Sequence, residues 1–189
     1  MSRRPGRWCA RRRRCWRWRR ALVEPPVRVL FVCTGNICRS PTAEGVFRKL
    51  VADAGLAERV EIASAGTGDY HVGEAPDRRA QAAARRRGYD LSEIRAQQVR
   101  VDDLMRCDFV LAMDRSHLAA LQRLDPTAEG RISLFLDFAP ESSMREVPDP
   151  YYGAGDGFER VLDLIVAASE GLLAAVAAEL ERDRAGETG

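Results

Sequence analysis

Around residues 33 to 41 the chain passes from strand to helix through Cys33-Thr34-Gly35-Asn36-Ile37-Cys38-Arg39-Ser40-Pro41. The segment before it, Val27–Val32, is apolar enough for one buried strand. After it, Val46, Phe47, Leu50 and Val51 recur at helical spacing over Pro41–Ala54, and Gly55 ends the pattern. A strand feeding a helix through a short loop is the unit from which parallel sheets are built.

The alternation continues. Val60–Ala63, Phe109–Met113 and Ile132–Phe135 read as further strands. Pro76–Arg87 reads as an Arg- and Ala-rich helix stopped at Gly88, Val101–Leu104 as a helical turn, and the stretch after Met113 as a short helix through Leu121. Asp156-Gly157-Phe158-Glu159 resembles a capping box and opens a long helix. Its inner stripe is Phe158, Val161, Leu162, Ile165, Leu172, Leu173 and Val176, and residues 182–189 are expected to fray. The pattern predicts an α/β fold: a three-layer, doubly wound, four-stranded parallel sheet with helices on both faces. Right-handed crossovers then put the functional loops at the carboxyl ends of strands, where Cys33, Ser64 and Met113-Asp114 fall.

The loop's residue types suit anion chemistry. At the mouth of a helix, the dipole and several unpaired N–H groups favour a thiolate at Cys33 over the poorly nucleophilic thiol. The N–H groups of Thr34, Gly35, Asn36, Ile37, Cys38, Arg39 and Ser40 can hold the oxygens of a phosphate. Gly35 eases a sharp turn, and Asn36 tolerates a left-handed backbone. Arg39 offers a planar fork for two phosphoryl oxygens. Ser40 can cap the helix and donate to the thiolate, and Pro41 suits a first helical position. With 29 arginines and five cysteines in the chain, Cys-x5-Arg spacing alone carries little; the strand, the Gly-Asn pair and the Ser-Pro step give it weight. Pro148-Asp149-Pro150 is a stiff turn able to hold a carboxylate on a loop.

At 189 residues the chain fits one domain with a full core. Residues 1–20 hold ten arginines and no acid; without them 20 basic residues face 28 acidic ones, a net charge of −8. An acidic body around a basic loop disfavours non-specific nucleic-acid binding by the domain, residues 27–181. The leader, residues 1–26, carries all three tryptophans, Trp8, Trp16 and Trp18. It reads as a disordered tail or an unused upstream start rather than a nucleic-acid or membrane contact. No signal-peptide core follows it, and no apolar run is seen to approach about 18 residues, so no membrane insertion is expected. Five cysteines without regular spacing do not form a disulfide framework. His71 and His117, the only histidines, lie at no metal-ligand spacing, and no metal is expected. A reactive thiol without a framework points to the cytoplasm.

The loop also resembles the phosphate loop of the low-molecular-weight protein tyrosine phosphatases. The likeness extends through Ser64-Ala65-Gly66-Thr67, Tyr70-His71-Val72-Gly73, Pro76-Asp77-Arg78-Arg79-Ala80, Met113-Asp114 and Asp149-Pro150-Tyr151-Tyr152, spanning roughly residues 27 to 180. The resemblance implies strand order 2-1-3-4, with Cys33 as nucleophile, Arg39 as phosphate binder and Asp149 as general acid and then base. It implies Tyr70, Tyr151 and Tyr152 as pocket walls, Asn36, Ser40 and Ser64 as loop supports, and a protective disulfide between Cys38 and the nucleophile. Cys107 is expected to be buried and inert. The substrate would be a phosphotyrosine-containing protein, a bacterial tyrosine kinase among the candidates, with inorganic phosphate as product and no cofactor. Related protein-arginine phosphatases resemble the loop with Thr at the position of Ile37, whose apolar side chain suits a phenyl ring instead. The family often has a histidine bracing the loop where Ile94 stands. Competing readings are a thiol-dependent arsenate reductase, which needs a relay of further cysteines, a protein-arginine phosphatase, a phosphopeptide-binding module, and an arginine-rich nucleic-acid binder.

Overall fold

The computed structural model describes residues 25–151 and 157–186. The chain runs β1 (Val27–Cys33), α1 (Arg39–Asp53), β2 (Val60–Gly66), α2 (Arg78–Arg86), α3 (Val101–Arg106), β3 (Phe109–Ala112), α4 (Arg115–Leu124), β4 (Ile132–Leu134) and α5 (Gly157–Gly186). All strand pairs are parallel, in the order β2-β1-β3-β4. Register pairs Val29 of β1 with Ile62 of β2 and Phe109 of β3.

β1 is central and buried on both faces, so its side chains split by parity into two cores. Val27, Val29, Phe31 and Cys33 face α1 and α5; Leu30 and Val32 face Leu104 of α3 and Leu121 of α4. Phe31 is fully buried, edge-on to Phe47 and Phe135 with ring centroids 5.8 and 5.0 Å away. Crossovers on both faces bring the ends of β1, β2 and β3 to one edge, which is where the loops of interest meet.

Several boundaries differ from the pattern reading. α1 begins at Arg39, with Cys38 as its N-cap residue and no side-chain cap. Ser40 therefore does not cap, and Pro41 is the third helical residue rather than the first. This is tolerated because none of the first N–H groups of a helix has an intrahelical acceptor. α2 starts after Asp77, whose carboxylate accepts from the Arg79 N–H. α5 runs to Gly186, past Glu181 where fraying was expected, because Ala, Leu, Glu and Arg propagate a helix once it is started. Residues 1–24, Tyr152 and Asp156 lie outside the described residues, and with them most of the leader and the first residue of the capping box.

The expectation that no apolar run approaches the length of a membrane span is corrected: the helix Gly157–Arg182 is long and apolar enough to cross a membrane, an 18-residue window of it having a mean hydropathy of 1.9. Scattered acids break the run and hide it in the sequence. Val161, Leu162, Ile165, Leu172 and Val176 are buried in the protein's own core with α1 and β1, which accounts for the apolarity.

Candidate active site

The loop after β1 curls around the N-terminus of α1, and Cys33, Thr34, Gly35, Ile37, Cys38 and Arg39 line a cavity of about 430 Å³. Tyr70, Tyr151 and Asp149, predicted from distant stretches of sequence, line it too, as does His71. Tyr70 and Tyr151 are exposed at the rim, at 76% and 45%. The positive φ of the loop falls on Asn36, at 54°, and not on Gly35. Gly35 is needed for room instead: a Cβ there would lie 2.9 Å from Cδ2 of His71.

Asn36 and Ser40 do not reach the cavity with their side chains; both are fully buried behind it. There they form a brace. The Ser40 hydroxyl lies 3.0 Å from Cys33 Sγ, and Asn36 Nδ2 donates to the oxygens of Ser40 (2.9 Å) and Ser64 (2.8 Å). Gln97 donates its backbone N–H to Asn36 Oδ1 and its side-chain amide to the Ser64 carbonyl, each at 2.9 Å. The segment containing Ile94 thus supports the loop through Gln97, while Ile94 itself packs with Ala84 and Leu91. The Ser64 hydroxyl donates in turn to Glu44 Oε2 at 2.5 Å. Burial pushes the Glu44 carboxyl up, and the Ser64 hydroxyl and the Arg48 guanidinium pull it back.

Arg39 is 5% exposed and its guanidinium is held on two sides. Nη1 donates to Asp114 Oδ2 (2.8 Å) and to the Val147 carbonyl (3.2 Å); Nη2 donates to Asp149 Oδ2 (3.1 Å). Burial alone would raise the Asp114 carboxyl, but the hydrogen bonds from His117 and Ser116 outweigh it and hold it well below the usual carboxylate range. Asp149 Oδ1 accepts the Tyr151 N–H at 3.0 Å, so its turn fixes the carboxylate at the cavity mouth. Arg79, paired with Asp77, donates to the Tyr151 carbonyl and lies over the Tyr151 ring.

The thiol of Cys38 is pushed up to about 12, by burial first and then by the negative charges of Asp77, Cys33 and Asp149. It stays protonated at neutral pH. Cys107, half-buried, is pushed up to about 11 by burial. It precedes β3, whose first paired residue Phe109 lies beside Val29 near the start of β1, so it sits toward the opposite end of the sheet from Cys33. Among the described residues, no group of acidic, histidine and cysteine side chains could hold a metal ion.

The sequence pattern places Asp114 at the carboxyl end of β3 but does not show its pairing with Arg39, and it gives Glu44, Gln97 and His117 no part in the site. For Asp114 a signal existed: an acid at the carboxyl end of a central strand of a parallel sheet. The others offered none.

A buried strand ending in a thiol within a ring of amides, with a fixed guanidinium and a carboxylate at the cavity mouth, defines a phosphate-handling thiol site on a doubly wound sheet. Residues 28–184 match the family model described as low molecular weight phosphotyrosine protein phosphatase. The chain is 51% identical over 158 residues to a low molecular weight protein-tyrosine-phosphatase of Streptomyces coelicolor, covering 82% of this chain and 96% of that one. It is 40% identical to the human low molecular weight phosphotyrosine protein phosphatase, over 77% of this chain and 92% of the relative. The crystal structure of YfkJ from Bacillus subtilis superposes with a TM-score of 0.77 at 39% identity, covering 82% of this chain and 96% of that one. The chain belongs to the low molecular weight phosphotyrosine protein phosphatase family.

Proposed function

We propose that this chain hydrolyses phosphotyrosine in proteins in two steps through Cys33. The thiolate attacks phosphorus as the P–O bond to the phenol breaks, and Asp149 gives its proton to the departing oxygen. Asp149 then takes a proton from water, which attacks the cysteinyl phosphate and releases inorganic phosphate and the free thiolate. Arg39 and the loop N–H groups hold the phosphoryl oxygens throughout and stabilise the charge spread over them in the transition state. Ser40 supports the thiolate as it leaves.

The observation that carries this reading is the convergence of Cys33, Arg39 and Asp149 on one cavity from three separate stretches of chain. Ile37 and the rim rings of Tyr70 and Tyr151 favour a flat apolar substrate over phosphoarginine. Among the described residues, a cysteine relay for arsenate reduction has no support, since Cys107 stands toward the far end of the sheet. Cys38 shares the cavity with Cys33. After peroxide converts the Cys33 thiolate to a sulfenic acid, Cys38 can condense with it, losing water, to give a disulfide that thiol reductant reverses. The substrates fitting this reading are cytoplasmic phosphoproteins, tyrosine kinases among them.

The test is a set of initial rates on matched phosphotyrosine, phosphoserine and phosphoarginine peptides with wild type and Cys33→Ser. The reading predicts turnover of the phosphotyrosine peptide alone and none by the variant. Equal rates on phosphoserine, or full activity without the sulfur, would contradict it.

A further inference from the structure

His117 is 2% exposed and lies in the first turn of α4, just beyond Asp114, the N-cap of that helix. Burying an imidazole there is costly, because polar atoms lose water. Apolar residues fill the neighbouring inward positions, as Leu121 does on the same helix. The ring's contacts show what it reaches. Nε2 lies 2.8 Å from Thr34 Oγ1, across 83 residues of sequence. Nδ1 lies 3.0 Å from Asp114 Oδ1, an oxygen that also accepts the His117 N–H (3.0 Å) and the Ser116 hydroxyl (2.5 Å). The other oxygen of Asp114 accepts from Arg39.

The imidazole therefore stands between the two ends of the phosphate loop. On one side is Thr34, directly after the nucleophile and itself exposed to the cavity. On the other is Asp114, which anchors Arg39. With the Nδ1 hydrogen turned toward the carboxylate, Nε2 is left to accept from the Thr34 hydroxyl. An unanchored threonine in an exposed loop would turn its side chain freely and let its peptide N–H drift. Cradles that bind a transition state well are those whose donors do not have to reorganise.

We propose that His117 is a positioning residue for the phosphate cradle, fastening Thr34 next to the nucleophile and bearing on the Asp114–Arg39 pair from beneath. This rests on the reading of the site as a cysteine phosphatase. It adds a residue that touches neither substrate nor nucleophile and acts through the Thr34 hydroxyl.

The test uses the full chain with Thr34→Val, His117→Gln, His117→Leu and the double variant His117→Leu/Thr34→Val. Two readouts are needed: kcat and KM for phenyl phosphate, and the affinity for inorganic phosphate by calorimetry, which reads the cradle without turnover. His117→Leu and Thr34→Val are each expected to lose about tenfold in phosphate affinity and in kcat/KM, roughly one buried hydrogen bond's worth. The glutamine variant, which still reaches the Thr34 hydroxyl, should recover most of that loss. The double variant should be no worse than His117→Leu alone, because both remove one link. Losses that multiply, or a His117→Leu protein within twofold of wild type on both readouts, would overturn the proposal. If the leucine variant does not fold, Thr34→Val and His117→Gln decide: unchanged phosphate affinity in the valine variant overturns the proposal as well. A wild type that binds phosphate but turns over no aryl phosphate would sink the functional reading and leave this one to be judged by calorimetry.

Discussion

Asp114 and Asp149 both touch Arg39, yet they should fail differently when removed. Asp114 is held ionised in the fold well below the pH at which it protonates in an unfolded chain, about 3.9. Below that pH the unfolded chain binds a proton the folded one refuses, so the contribution of Asp114 is present above about pH 4 and lost as pH falls further. Urea midpoints across pH should show Asp114→Asn less stable by about 2 kcal/mol at neutral pH, with the gap to wild type closing in acid. A gap independent of pH would contradict the assignment. Asp149, at the cavity mouth, is expected to matter for chemistry. Asp149→Ala should lower kcat on phenyl phosphate about 100-fold or more and far less on p-nitrophenyl phosphate, whose leaving group needs no proton. Equal losses on the two substrates would remove the acid role. Cys38, pushed up to about 12, should resist iodoacetamide at pH 7 in a Cys33→Ser chain; rapid labelling at Cys38 itself would contradict its protonated, buried state.

The strands and the loop were legible because their information is local. The run Val27–Cys33 is apolar at every position but Arg28 because β1 is covered on both faces, and the left-handed backbone at Asn36 follows from a side chain that tolerates it. His117 and Gln97 were not legible, because each meets the loop only after the chain has crossed the sheet, and Glu44 was not, because it acts through Ser64 at the end of β2. The Thr34–His117 contact spans 83 positions and the Arg39–Asp114 pair 75. The start of α1 was misplaced by two residues because Pro41 is acceptable anywhere in a first turn. The length of α5 hid its purpose: its apolarity serves a core shared with α1 and the 3₁₀ turn Phe135–Phe138. That turn passes so close that a Cβ on Gly171 would lie 1.9 Å from the Phe138 carbonyl oxygen. Gly171→Ala should therefore lower stability by about 1–3 kcal/mol despite its better helix propensity, read as a fall in Tm. A rise in Tm would mean that α5 and the turn can part without cost.

Charge and activity divide along the chain. The loop, the acid turn and their supports all lie between Cys33 and Asp149, within the stretch that matches the family, while ten of the arginines precede residue 21. Deleting residues 1–24 is expected to leave kcat and KM for phenyl phosphate within about twofold, since the supports of the cradle belong to the fold. A loss of activity on deletion would assign the leader a part in the site. The central claim, that phosphate passes through Cys33, is tested most directly by trapping it. Asp149→Ala is mixed with p-nitrophenyl phosphate, so that the first step proceeds and the second, which needs the base, is slow; the reaction is quenched and the modified peptide is found by mass spectrometry. The account predicts one phosphoryl group on the Cys33 sulfur, absent from the same experiment with Cys33→Ser. Burst release of nitrophenol with no phosphate on that sulfur, or with the phosphate on another residue, would contradict it.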